Sequence, residues 1–236
     1  MKDMTQGNPV KEVLLFSIPM ILASVFQQMY NAVDSIIVGQ FVGANALAAV
    51  GAAFPAMFLA MSVLIGITMG VQIIISQLFG AGEHERMRAT FATSMISLII
   101  MVAIASVIGH FASGSILGLM NTPPEIIADS EAYLDEIFKG LIFMFLYNLY
   151  TSVLRGVGDS KTPLYFLIIS SILNIVLDLV YVVQFGLGVR GVAIATVQSQ
   201  AVSAVLCIIY TNIRIPLFRL GLRDLRVDFD ILKTIL

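Results

Sequence analysis

Two aspartates, Asp34 and Asp178, sit inside runs of sequence that are otherwise almost wholly apolar. A carboxylate near the centre of a membrane-spanning helix costs roughly 2.5–3.5 kcal/mol on insertion scales, so a chain that keeps two needs partners or a task for them. Polar residues at helical spacing accompany both. Ser24, Gln27, Asn31 and Asp34 share one face, as do Ser170, Asn174 and Asp178, and again Thr196, Gln200 and Ser203. Carboxylate, amide and hydroxyl oxygens are hard ligands suited to a small cation, and carboxylates stripped of water could instead take up a proton. Cation handling is therefore the chemistry these residues support, with either ion as the coupling species. Ser, Thr, Asn and Gln often only hydrogen-bond helices together, whereas a buried acid is a much costlier form of glue.

The elements that would hold these residues follow from composition. With 58% hydrophobic residues, 12% charged and a mean hydropathy of +0.96, the chain reads as an integral membrane protein. A formal net charge of −2 points to no nucleic-acid partner. The single Cys207 excludes an intrachain disulfide and a thiol-based metal cluster. The N-terminal MKDMTQGNPVKE mixes two lysines with two acids, and the apolar run after it is too long for a signal-peptide core, so it reads as a retained first span.

Six apolar segments, at 13–38, 47–76, 87–112, 132–154, 164–184 and 192–213, each approach or exceed the ~20 residues a spanning helix needs. The intervening GQFVGAN, FGAGEHER, NTPPE, RGVGDSKTP and FGLGVRG carry turn residues. Lys2, Lys11, Arg86, Arg88, Arg155, Lys161, Arg214, Arg219, Arg223, Arg226 and Lys233 fall on one side, against Arg190 and the nearby Lys139 on the other. That asymmetry predicts a multi-pass protein of the cell membrane with both termini cytoplasmic. Counting along the spans then puts Asp34, Asp178 and Thr196 at a common depth, about 6–12 Å below the outer ends. A polar cavity in the outward half of the bundle is expected, with Gln27, Asn31, Lys139 and Gln200 as possible lining. Lys139, about five residues into the fourth span, could form a fixed ion pair with one of the acids, exchange partners during transport, or snorkel. Pro19, about four turns below Asp34, removes the hydrogen bond to the Leu15 carbonyl and marks a candidate hinge.

Three blocks carry a family resemblance. SIPMILASVFQQMYNAVDSIIVGQFVGANALAAVGAAFPAMF, GITMGVQIIISQLFGAGE and LRGVGDSKTPLY, in that order, resemble the N-terminal half of multidrug and toxic compound extrusion (MATE) transporters. The resemblance implies an all-α membrane fold in which this chain is one six-helix lobe of a twelve-helix antiporter, not an enzyme. It implies export of organic, often cationic, compounds in exchange for sodium or protons, without a cofactor. It also implies a cation site at Asp34, Asn174, Asp178 and Thr196, which would be the metal ligands if the ion is sodium. Residues 1–213 would form the N-terminal lobe and 214–236 a basic cytoplasmic linker leading toward a second lobe. LKTIL in that tail faintly echoes VKEVLL before the first span. The expected partners are a small organic substrate, the lipid bilayer, and a C-terminal lobe or second copy.

Other classes weigh less. An intramembrane aspartyl protease would also use two acids, and GVGD at 156–159 matches its GxGD pattern, but Asp159 falls in a loop between Arg155 and Lys161. A lipid-linked oligosaccharide flippase of the same wider superfamily would need several cationic residues for a pyrophosphate, and only Lys139 and Arg190 offer themselves. A purely scaffolding membrane protein would not need acids at matching depth.

Overall fold

The computed structural model describes residues 9–220, 228 and 231–233. Among the described residues there are six long helices: α1 Pro9–Ile37, α2 Ala44–Ala81, α3 His84–Leu119, α4 Pro124–Gly156, α5 Lys161–Asp178 and α6 Gly188–Arg214. All six are long and apolar enough to cross a membrane, α1 and α5 together with the π-helical turns that extend them. Successive spans alternate in direction. One end of the bundle, here the near end, holds the α2–α3 and α4–α5 turns; the far end holds α1–α2, α3–α4 and α5–α6. The expected linker at 214–236 lies largely outside the described residues, which there comprise Arg214, Ile215, a 3-10 turn at Pro216–Phe218, Arg219, Leu220, Asp228 and helical Ile231, Leu232 and Lys233.

The helices outrun the expected spans because hydropathy marks only the apolar middle, while the helix continues until backbone chemistry stops it. α2 runs 38 residues, about 57 Å at 1.5 Å per residue, against about 30 Å of hydrocarbon. It stops where Gly82 takes up φ 72°, a left-handed conformation that a side chain would disfavour, and its N–H caps the Leu78 and Phe79 carbonyls. α4 begins eight residues before the expected boundary at Pro124, whose missing N–H costs nothing in a first turn.

Asp159 of the GVGD run has a local structural task. Its carboxylate accepts hydrogen bonds from the Thr162 backbone N–H (3.0 Å) and hydroxyl (2.7 Å) in the first turn of α5. It also accepts one from the Tyr210 hydroxyl on α6, at 3.2 Å. The GxGD match is thus a loop cap tying α5 to α6.

α4 is the hub. It packs against α2, α3 and α6, and 72% of its most apolar stretch is buried, against 17% for the first span. Leu134, Ile137, Leu141, Phe145, Leu149, Val153 and Leu154 are almost fully buried along it. Glycines allow the close approaches: a Cβ on Gly140 would collide with Val197 of α6, and one on Gly109 of α3 with Phe138. α2, α3 and the α5 span are the most hydrophobic of the six, and each leaves most of its apolar stretch exposed to lipid. α1 is the anomaly, because it is little buried and yet exposes Ser24, Gln28, Asn31 and Ser35.

Candidate cation site

α1 packs on α5 and α5 on α6. Ser170 on α5 donates to the Ser199 carbonyl (3.0 Å), and Ser203 on α6 to the Phe166 carbonyl (3.2 Å). Those bonds fix the rotation of α5 against α6, and with it the direction in which Asn174 and Asp178 point, one and two turns further along. Both are fully buried, Thr196 is nearly so, and Asp34 is half-buried.

Three of the four come together through Asn174. With its amide turned so that the nitrogen faces the carboxylates, Asn174 donates to Asp34 Oδ1 and Asp178 Oδ2, each at 3.2 Å. Sharing that one nitrogen sets the two carboxyl groups beside each other. Thr196 enters from α6, where its Oγ1 accepts a hydrogen bond from the Tyr30 hydroxyl at 3.2 Å. Asp178 Oδ1 is buried and has no hydrogen-bond partner among the described residues. Two carboxylates this close repel unless a proton or cation lies between them, and a buried acceptor left bare costs about 1–3 kcal/mol. The donor set therefore suits a hard cation or a shared proton.

Two residues of this cluster escape a reading of depth and stripes. Tyr30 is buried one turn before Asp34 and reaches Thr196. Tyr133 on α4 is buried within electrostatic range of both acids. The i, i+4 spacing of Tyr30 and Asp34 was the available signal for the first; no local pattern marks the second, because it arrives from the hub helix.

The other expected residues stand apart. Gln27 and Gln200 are half-buried, and Asn31 is exposed, with its amide 3.4 Å from Gln28 Oε1. Pro19 is buried inside a continuous α1. Lys139 pairs not with Asp34 or Asp178 but with Asp135 (2.7 Å) and Glu136 (3.4 Å) on its own helix. This corrects the expected pairing and cavity lining rather than the depth: Gly140 beside Lys139 abuts Val197, the neighbour of Thr196, but Lys139 lies on an exposed face of α4. His110 of α3 contacts Asp135, and Arg190 of α6 pairs with Glu136 at 2.6 Å. The result is a five-residue charge network away from the acid pair.

Comparison with known proteins agrees with this architecture. The chain is 37% identical over 233 residues to the probable multidrug resistance protein YoeA of Bacillus subtilis, covering 96% of this chain and 50% of that protein. It is 34% identical over 202 residues to the probable multidrug resistance protein YpnP of the same organism, covering 85% and 45%. A crystal structure of MATE in the bent conformation superimposes with a TM-score of 0.89 at 29% identity, over 97% of this chain and 51% of that one. The chain thus spans about half the length of the relatives it matches. The sequence model of the MatE family matches residues 19–180, well over half the chain, and the chain belongs to that family.

Proposed function

We propose that this chain is the cation-coupling lobe of an antiporter that exports organic, often cationic, compounds. The observation that carries the reading is the acid pair, Asp34 and Asp178, bridged by Asn174 in a membrane bundle, with Lys139 and Arg190 engaged elsewhere. Multidrug resistance relatives such as YoeA support drug efflux as the activity.

The coupling ion is sodium or a proton, and the amide of Asn174 bears on the choice. With its nitrogen toward the acids, the cluster is satisfied by one shared proton. With Oδ1 toward them, Asp34, Asn174, Asp178 and Thr196 present an all-oxygen set that a sodium ion would satisfy. Binding a cation between the acids removes their repulsion and draws α1 toward α5, which gives ion binding a differential effect on two arrangements of α1. Pro19 is the proposed hinge, supported by the missing backbone hydrogen bond and by a solved relative in a bent conformation. The polar face of α1 costs least when covered, and we assign that cover to a second lobe, or to a second copy, across a substrate cleft. Both termini are assigned to the cytoplasm from the Lys/Arg asymmetry. The flippase reading loses its two candidate cations, since Lys139 and Arg190 are already ion-paired.

The test is efflux of a cationic dye from vesicles containing the chain joined to a C-terminal lobe, with sodium and proton gradients imposed separately. Efflux driven by one gradient and lost in both Asp34→Asn and Asp178→Asn is expected. Equal efflux with no gradient, or wild-type efflux from both variants, overturns the assignment.

A further inference from the structure

The acid pair lies toward the far end of the bundle. At the near end, assigned above to the cytoplasm, the imbalance of charge reverses. Arg155 is half-buried in the last turn of α4, and its Nε is buried with no hydrogen-bond partner among the described residues. The Thr211 hydroxyl on α6 is also buried and without a partner among them. These two groups share a level. α4 and α6 run in the same direction, and Gly140 abuts Val197; counting equal numbers of residues inward from that contact brings Arg155 beside Asn212, next to Thr211. Cys207, one turn before Thr211 on the same face, lies within electrostatic range of Arg155.

At the same end of the bundle a cavity of about 420 Å³ is lined by Tyr150, five residues before Arg155, and by Asn212, next to Thr211, together with Met95, Phe218, Arg219 and Leu220. Its floor is aromatic, because Phe91 stacks edge-on against both Tyr150 and Phe218. Its rim is held in place by Arg219, whose Nε donates to the Asn212 carbonyl at 2.6 Å. Arg88 donates to the Arg219 carbonyl at 3.0 Å, bringing a third guanidinium to the same mouth. Asp159 of the α4–α5 loop is committed to Thr162 and Tyr210. Arg155 Nε and the Thr211 hydroxyl thus lack a partner among the described residues, a donor-side imbalance that is the reverse of the acid pair.

A guanidinium whose Nε is buried without an acceptor is expensive unless an anion completes it. Planar, two-pronged guanidinium recognition favours phosphate. We propose that the near ends of α4 and α6, around Arg155 and Thr211, form a binding site for a phosphate-bearing anion at the cytoplasmic surface, either an anionic phospholipid headgroup or a soluble phosphate. A headgroup would place its acyl chains along the apolar flank of the bundle, and basic pockets between spans on this side of a membrane bind such lipids. The inference rests on the cytoplasmic orientation proposed above and on no part of the export chemistry.

The experiment is native mass spectrometry of the purified chain in detergent, with phosphatidylglycerol, phosphatidylcholine and inorganic phosphate added in separate arms. Preferential retention of phosphatidylglycerol over phosphatidylcholine is expected, falling about tenfold in Arg155→Gln and less in Thr211→Val, with helicity by circular dichroism unchanged. Retention of inorganic phosphate without any lipid preference assigns the same site to a soluble phosphate. Should Arg155→Gln fail to fold, Arg155→Lys keeps the charge but loses the two-pronged fork and is expected to weaken retention severalfold. No preference among the three ligands, or wild-type retention in both the Arg155 and Thr211 variants, overturns the proposal.

Discussion

Two clusters in this molecule each contain a pair of acids, and they are built on opposite terms. In one, Asp135 and Glu136 are matched by His110, Lys139 and Arg190 at a partly exposed surface. In the other, Asp34 and Asp178 share only the Asn174 amide and lie near two phenols, and one carboxylate oxygen is left bare among the described residues. The first cluster is neutral without help. The second is left incomplete by its own residues, and in the proposed reading the coupling ion completes it. Cost separates them as well: exposed ion pairs contribute about 0–1 kcal/mol and are screened by salt, whereas uncompensated buried acids are a standing expense that a chain keeps for a use.

The sharpest way to break this contrast is to neutralise the acid pair. Asp34→Asn or Asp178→Asn should abolish gradient-driven export in the completed transporter, a larger loss than the roughly 10–100-fold that follows removal of an outer partner at a metal site. Thermal stability in detergent should hold or rise, because the carboxylate repulsion is gone. Vesicle efflux and a melting curve on the same preparations check both halves. A variant that unfolds would make these acids structural, like those of the surface network.

Removing the bridge is the next largest change. Asn174→Ala should weaken coupling-ion affinity about tenfold while leaving both acids in place, measured as the sodium or proton concentration giving half-maximal efflux. An unchanged midpoint would mean that the amide only packs.

Tyr30→Phe keeps the ring and deletes the hydrogen bond to Thr196. A cost of about 0.5–1.5 kcal/mol in stability is expected. The coupling midpoint should shift as well, since Thr196 loses the donor that orients it.

The smallest effect belongs to the surface network. Glu136→Gln removes the negative charge that Lys139 and Arg190 share, and the loss should stay under about 1 kcal/mol, shrinking further in molar salt. Efflux should be unchanged. A strong loss of coupling here would join the two clusters into one pathway and dissolve the distinction.

Local pattern went far with this chain. Six spans were readable because about 20 apolar residues in a row have few alternatives to crossing a bilayer. Asp34 and Asp178 stood out because their cost is a property of one residue in one environment. Asn174 and Thr196 shared stripes with neighbours at helical spacing, which sequence period alone reveals. The full lengths of the helices were less readable, since glycine and proline stops such as Gly82 and Pro124 act outside the apolar stretch that hydropathy detects.

The tertiary structure decided who meets whom. Lys139 turned toward Asp135, and Asp159 toward Thr162 and Tyr210, because partner choice depends on where a helix begins and how it is rotated. Tyr133 reached the acid pair from α4, a helix whose central place no hydropathy value betrays: its apolar stretch is the least hydrophobic of the six and the most buried. Hydropathy measures the cost of facing lipid, and a helix ringed by other helices never faces it. Depth along a span is one coordinate and was available from the chain; rotation about the axis and the identity of the facing helix are the other two, and they are set by packing between segments far apart in sequence.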